Sequence, residues 1–218
     1  MSYSEKTDAI FKRFEQIGII PVVVLHDPKD AKPLGKVLIE GGLPVAEVTF
    51  RTDAAEESIR ILTKEFPDML VGAGTVLTIE NVDRAVAAGA KFIVSPGFDP
   101  KLVSYCIEKG IPVSPGVQTP SEMIGAMNLG LRNLKFFPAE ASGGLPMIKA
   151  ITAALTEIRL MPTGGINEKN VAEYLASDKI ICTGGSWMVK SDLIDAGKFD
   201  EILERTKRAA AIVKEVRG

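Results

Sequence analysis

Lys135 lies in Asn133-Leu134-Lys135-Phe136-Phe137, a segment that otherwise has the apolar content of a buried strand. Lysine is among the side chains least often fully buried, because its ammonium loses hydration there. Burial in general favours the neutral amine, which is the form that attacks a carbonyl carbon. The chemistry that such a residue serves is Schiff-base formation. From this segment alone, an edge-strand lysine whose head reaches solvent competes with that reading. Glu47 interrupts another apolar run, Pro44-Val45-Ala46-Glu47-Val48-Thr49-Phe50. Period-two alternation sets Glu47, Thr49 and Arg51 on one face. A carboxylate turned into a core must be paired or take up a proton, and such a group can accept and return protons near neutral pH. A structural Glu47–Arg51 ion pair is the alternative. The same alternation sets Asn133, Lys135 and Phe137 against Leu134 and Phe136. A lysine, a carboxylate and an arginine gathered on inner faces suit imine chemistry on a keto acid.

Two glycine pairs, in Thr163-Gly164-Gly165-Ile166 and in Gly184-Gly185-Ser186, add a different chemistry. Glycines let backbone N–H groups approach phosphate oxygens closely, and a following helix start adds a favourable dipole. Either pair alone reads as a turn. Together, after the last two strands of a barrel, they read as a phosphate site.

The elements that must hold these residues follow one rhythm. Apolar runs at 19–24, 45–50, 69–72, 91–94, 111–114, 133–137, 158–161 and 179–182 alternate with helical stretches. Their starts recur about every 20–25 residues, the length of a strand, turn, helix and turn. This predicts a single (β/α)8 TIM barrel over residues 1–218, with an extra helix at the N-terminus and the active site at the C-terminal strand ends. Asp27-Pro28 and Asp99-Pro100 place a cap before a proline, and Thr119-Pro120-Ser121-Glu122 reads as a capping box. Gly41, Gly89, Gly110 and Gly130 stand where the preceding helices should stop. Val94-Ser95-Pro96-Gly97 recurs as Val113-Ser114-Pro115-Gly116, an echo of one βα unit in the next. An open doubly wound sheet is the rival, but it calls for a Gly-rich turn after the first strand, where this chain has Leu25-His26-Asp27-Pro28.

The bulk properties bound the partners. A net charge of −2 over 218 residues gives no reason to expect nucleic acid or an anionic membrane. The apolar stretch 17–25 is too short to span a bilayer and is broken by Pro21, and residues 1–16 have no apolar signal-peptide core. Cys106 and Cys182 lack metal or redox spacing, which points to a reducing cytoplasm. A multi-histidine metal centre is excluded by the lone His26, although carboxylates and cysteines leave other zinc sites open. Trp187 and Met188 read as packing, His26 as a cap or surface residue, and 201–217 as the solvated face of a helix.

Six segments in order carry a resemblance. They are Ala46-Glu47-Val48-Thr49-Phe50-Arg51-Thr52, Gly72-Ala73-Gly74-Thr75, Ser95-Pro96-Gly97, Lys135-Phe136-Phe137-Pro138-Ala139-Glu140, Pro162-Thr163-Gly164-Gly165-Ile166 and Gly184-Gly185-Ser186-Trp187. The chain resembles the 2-keto-3-deoxy-6-phosphogluconate (KDPG) aldolases along nearly its whole length. The resemblance implies a class I aldolase of the Entner–Doudoroff pathway, a homotrimer with no metal and no cofactor, acting on a small phosphorylated keto acid. It implies Lys135 as the Schiff-base residue and Glu47 as general acid/base. Arg51 and Thr75 would hold the pyruvyl carboxylate, with Pro96 and Phe137 lining that pocket. Thr163, Gly164, Gly165, Gly185 and Ser186 would form the phosphate end, and Thr163 is similar to the residue of the gluconate-configured branch. Cleavage of 4-hydroxy-2-oxoglutarate, or of the galactonate epimer, is the alternative within the family. A phosphosugar isomerase or a non-catalytic sugar-phosphate binder would need no covalent lysine.

Overall fold

A computed structural model describes residues 3–218 and turns each apolar run into parallel β-structure. Helix α1 (Tyr3–Ile17) precedes β1 (Ile19–Val23), α2 (Ala31–Glu40), β2 (Val45–Thr49), α3 (Ala55–Glu65) and β3 (Leu70–Gly74). Next come α4 (Ile79–Ala87), β4 (Ile93–Val94), α5 (Pro100–Glu108), β5 (Val113–Ser114), β6 (Gly116–Val117) and α6 (Pro120–Asn128). The chain continues through β7 (Asn133–Phe136), α7 (Gly144–Ala154), β8 (Arg159–Pro162), α8 (Val171–Leu175), β9 (Thr183–Gly185), α9 (Ser191–Asp195) and α10 (Phe199–Arg217). One parallel sheet has the order β5-β4-β3-β2-β1-β9 and a second has β6-β7-β8. Only Pro115 separates β5 from β6, and single-residue parallel bridges, Leu160↔Ile180 and Thr163↔Gly184, link the β8 and β9 segments. The result is a curled parallel sheet with the helices that follow its strands outside.

Alternation along the strands produces two cores. Leu134, Phe136, Ala46 and Val48 belong to the layer shared with the helices. Ile20, Val45, Leu70, Phe92 and Met161 form a separate inner cluster with Phe11 and Phe14 of α1. Phe14 meets Phe92 edge to face at 4.8 Å, so the extra helix packs its aromatic side against the inner face of the sheet. Burying a side chain of this size stabilises by about 1.5–3 kcal/mol.

The local punctuation behaves as its chemistry requires, with three differences. Thr119 and Glu122 make both bonds of the capping box, and Asp99 accepts from the Lys101 amide. Asp27 instead caps a short 3-10 turn, Pro28–Asp30, before α2 begins. The run at 179–182 contributes only the bridge at Ile180, because the ladder with β1 starts at Ile19↔Thr183, so the glycine pair is in the strand and not after it. Finally, Arg217 does not sit on a solvated face: its guanidinium donates to the carbonyls of Leu175, Ile180 and Ile181. His26 is exposed and paired with Asp195 at 3.0 Å. Among the described residues, no helix is long and apolar enough to cross a membrane.

Candidate active site

Strands β2 and β7 turn their two unusual residues into the same space. Lys135 Nζ lies 3.2 Å from Glu47 Oε1, with the lysine 5% exposed and the glutamate 0%. The lysine head therefore does not reach solvent along a sheet edge. Glu47 takes Lys135, not Arg51, as its ionic partner. A buried ion pair is weak evidence for stability, since desolvation offsets most of the attraction. A pair held in this way is a stronger pointer to chemistry. Glu47 Oε2 is also buried and has no partner among the described residues, so one carboxylate oxygen holds the amine while the other is uncommitted. Room for the carboxylate comes from β3, where a Cβ on Gly74 would lie 2.2 Å from Glu47 Oε1.

Arg51 stands beyond the end of β2, where the strand no longer fixes its face, and its side chain leads out to the mouth. There its Nε donates to Thr75 Oγ1 at 3.2 Å. Thr75 has φ +54°, a left-handed conformation costly for a β-branched residue. Strain of this kind collects where a side chain must be aimed at a ligand.

A cavity of about 410 Å³ opens at the C-terminal ends of the strands. Its wall includes Arg51, Phe137, Thr163, Gly164, Gly165, Gly185 and Ser186. Lys135 adjoins it through Phe137, whose ring centroid is 5.3 Å from Nζ. Thr75 adjoins it through Arg51. Pro96 is not on this wall but lines a separate depression with Leu77 and Phe98. Its carbonyl packs instead on Gly116, the register partner of Lys135. Lys190, Ser191 and Asp192 also reach the cavity, and no motif in the sequence signals them.

The glycine pair after β8 is held open by its own backbone. Gly164 and Gly165 have φ +98° and +82°, the left-handed region that glycine adopts freely. The Ala139 amide donates to the Thr163 carbonyl at 2.8 Å and the Glu140 amide to that of Gly164 at 3.0 Å. Asn167 and Asn170 side-chain amides both donate to the Gly165 carbonyl. Among the described residues, the N–H groups of Gly164 and Gly165 donate to no other group, and the buried Thr163 hydroxyl has no partner. Free amides beside a cavity are suited to an anion.

Elsewhere the nucleophile candidates fall away. Burial pushes the Cys106 thiol up to about 12 and the Cys182 thiol higher still, which keeps both in the unreactive thiol form. No cluster of three or more His, Cys, Asp or Glu side chains among the described residues is placed to hold a metal ion.

Comparison with known proteins adds an independent line. A family model described as KDPG and KHG aldolase matches residues 10–205. A Treponema pallidum protein called 2-dehydro-3-deoxy-phosphogluconate aldolase is 45% identical over 94% of this chain and 97% of its own length. The Escherichia coli KHG/KDPG aldolase is 42% identical over 88% of this chain and 90% of its own. A solved Legionella pneumophila KDPG aldolase superposes with a TM-score of 0.85 at 42% identity, covering 87% of this chain and 92% of that one. That structure holds pyruvate captured at low pH as a covalent carbinolamine intermediate.

Proposed function

The chain belongs to the KDPG and KHG aldolase family, and on that premise we propose that it is a class I aldolase, a lyase that cleaves 2-keto-3-deoxy-6-phosphogluconate to pyruvate and glyceraldehyde 3-phosphate. The observation that carries the reading is the buried contact of Lys135 Nζ with Glu47 Oε1, beside a cavity whose far wall is the Gly164-Gly165 loop. A carbinolamine is the adduct of an amine on the pyruvate carbonyl, so the covalent species in the Legionella pneumophila enzyme belongs to the same chemistry.

In this mechanism neutral Lys135 adds to the C2 carbonyl and loss of water gives a protonated imine. The imine withdraws the electron pair of the C3–C4 bond once Glu47 accepts the C4 hydroxyl proton, directly or through water. Glyceraldehyde 3-phosphate leaves, Glu47 returns a proton to the enamine carbon, and hydrolysis frees pyruvate and the lysine. Arg51, aimed by Thr75, binds the pyruvyl carboxylate, and Phe137 covers the imine. Pro96 supports the Lys135 strand from behind Gly116. Thr163, Gly164, Gly165, Gly185 and Ser186 take the phosphate at the other end.

The architecture we assign is a closed (β/α)8 barrel in which β5 and β6 are halves of one strand bent at Pro115. The bridges between the β8 and β9 segments support that closure. A hydrophobic cluster running from Ile19 to Val213 supports residues 1–218 acting as one domain. The exposed apolar residues Leu77, Ile79 and Ile124 support association, which we assign as a homotrimer. Free, buried Cys106 and Cys182 fit a reducing cytoplasm. The KHG activity in the Escherichia coli relative's name supports a second substrate, 4-hydroxy-2-oxoglutarate, split by the same lysine into pyruvate and glyoxylate.

Borohydride reduction in the presence of pyruvate, followed by intact-mass and peptide mapping, tests the proposal. A reduced pyruvyl adduct on Lys135 is the expected outcome. A folded protein that carries no adduct returns Lys135 to a structural role and brings the isomerase and binding readings forward.

A further inference from the structure

Glu140 is a carboxylate close to the loop assigned to phosphate, where a negative charge works against the ligand. It does not line the cavity. Its contacts lie on the outer side of the loop. The Glu140 amide holds the Gly164 carbonyl, and the side chain lies across Gly165 so closely that a Cβ there would stand 2.5 Å from both Glu140 Cβ and Cγ. The carboxylate is then fixed from the far side. Tyr174 of α8, only 2% exposed, donates its hydroxyl hydrogen to Glu140 Oε1. Burial, with Glu140 beside it, pushes the Tyr174 phenol up, so the hydroxyl keeps its proton and remains a donor.

The two residues bracket the phosphate loop in sequence and in space. Glu140 follows β7, the strand of Lys135, by a few residues, and Tyr174 lies in the first helix after the Thr163-Gly164-Gly165 turn. We propose that Glu140 and Tyr174 form a strut that sets the phosphate loop at a fixed distance from Lys135 and thereby makes the enzyme selective for phosphorylated keto acids. This rests on the phosphate assignment of that loop and deepens it: both are positioning residues, acting through Gly164 and Gly165. A charge-assisted hydrogen bond is stronger and more directional than a neutral one, which explains a carboxylate in an electrostatically unhelpful place. A substrate without phosphate does not use the loop, so its turnover should not depend on the strut.

The test compares Tyr174→Phe, Glu140→Ala and Glu140→Gln, each checked for folding by thermal denaturation. Both substrates are used, 2-keto-3-deoxy-6-phosphogluconate and 4-hydroxy-2-oxoglutarate. Tyr174→Phe and Glu140→Ala should each raise KM for the phosphorylated substrate about tenfold with kcat within about twofold. Neither should move KM for the phosphate-free one. Glu140→Gln, whose amide oxygen accepts a weaker bond from Tyr174, should give a KM between those of the wild type and Glu140→Ala, and the Tyr174→Phe, Glu140→Ala pair should be no worse than either single variant. Equal KM changes for both substrates, or none for either, would overturn the strut. Ser186→Ala separates the two levels of the argument. If it selectively weakens the phosphorylated substrate while Tyr174→Phe does not, the strut is wrong and the phosphate site stands. If Ser186→Ala is also unselective, the phosphate assignment fails and takes the strut with it.

Discussion

At the scale of single residues, the proposed mechanism divides the reaction between Lys135 for covalent work and Glu47 for proton transfer. Lys135→Ala should abolish both turnover and borohydride trapping while the protein stays folded. Glu47→Gln removes the base but leaves the amine. Loss of a positioned acid/base group typically slows a reaction about 10²–10⁴-fold. We expect kcat to fall within that range while pyruvate and borohydride still label Lys135; loss of labelling would mean that Glu47 also drives imine formation. Gly74→Ala tests the same carboxylate from outside the chemistry. The added Cβ would stand 2.2 Å from Glu47 Oε1, so the carboxylate must move away from Lys135. A misplacement of about 1 Å can cost about 10²-fold in rate. The expected result is a kcat loss of that order with KM changed much less, and a wild-type kcat would show that Glu47 has freedom to relocate.

Elements carry the site without touching it, and here the sequence is readable in part. The alternation around Lys135 and Glu47 survives in the structure, because one register error would expose Leu134 and Phe136 to the lumen. Arg51 escaped that rule by lying past the strand end, so its partner Thr75 was visible only as a motif residue and not as a contact. The apolar run at 179–182 misses the last strand because Ile180, Ile181 and Cys182 are buried without being paired in the β1 ladder, and hydrophobicity reports burial before it reports pairing. Helix α1 is a further case. Its amphipathic pattern announces a buried side, but Phe11 and Phe14 do not say that they will meet the inner cluster and not the helix layer. Phe14→Ala should destabilise by about 3–5 kcal/mol, as large-to-small changes in a packed core do. Because no residue of α1 lines the cavity, kcat/KM at 25 °C should remain within about twofold of wild type. Urea titration alongside steady-state assays checks this, and a large kcat/KM loss without destabilisation would assign α1 a part in the site.

For the whole molecule, one of the thinner joins of the curled sheet is the one that closure of the proposed barrel uses. The β8 and β9 segments meet through two isolated bridges, at Leu160↔Ile180 and Thr163↔Gly184, whereas β2 and β3 share a five-residue register. The Gly164-Gly165 loop, to which we assign the phosphate, and Ser186 straddle that seam, one on each side. A ligand that binds both sides adds its binding energy only to the closed arrangement, since an opened seam loses half of the site. Saturation at about 100 times Kd stabilises the native state by about 2.7 kcal/mol. For a chain of this size that corresponds to a Tm rise of roughly 5–10 °C. Inorganic phosphate and pyruvate should therefore differ in where they act. Phosphate should slow hydrogen exchange at the amides of Gly164, Gly165 and Ser186 and their seam neighbours. Pyruvate, which the proposed mechanism binds at Lys135, should protect β7 and the Arg51 loop and leave the seam nearly unchanged. Exchange measured by mass spectrometry with each ligand at matched saturation decides it. Equal protection by both would mean that the strands tighten as one body, and that the seam between β8 and β9 is no weaker than the other joins.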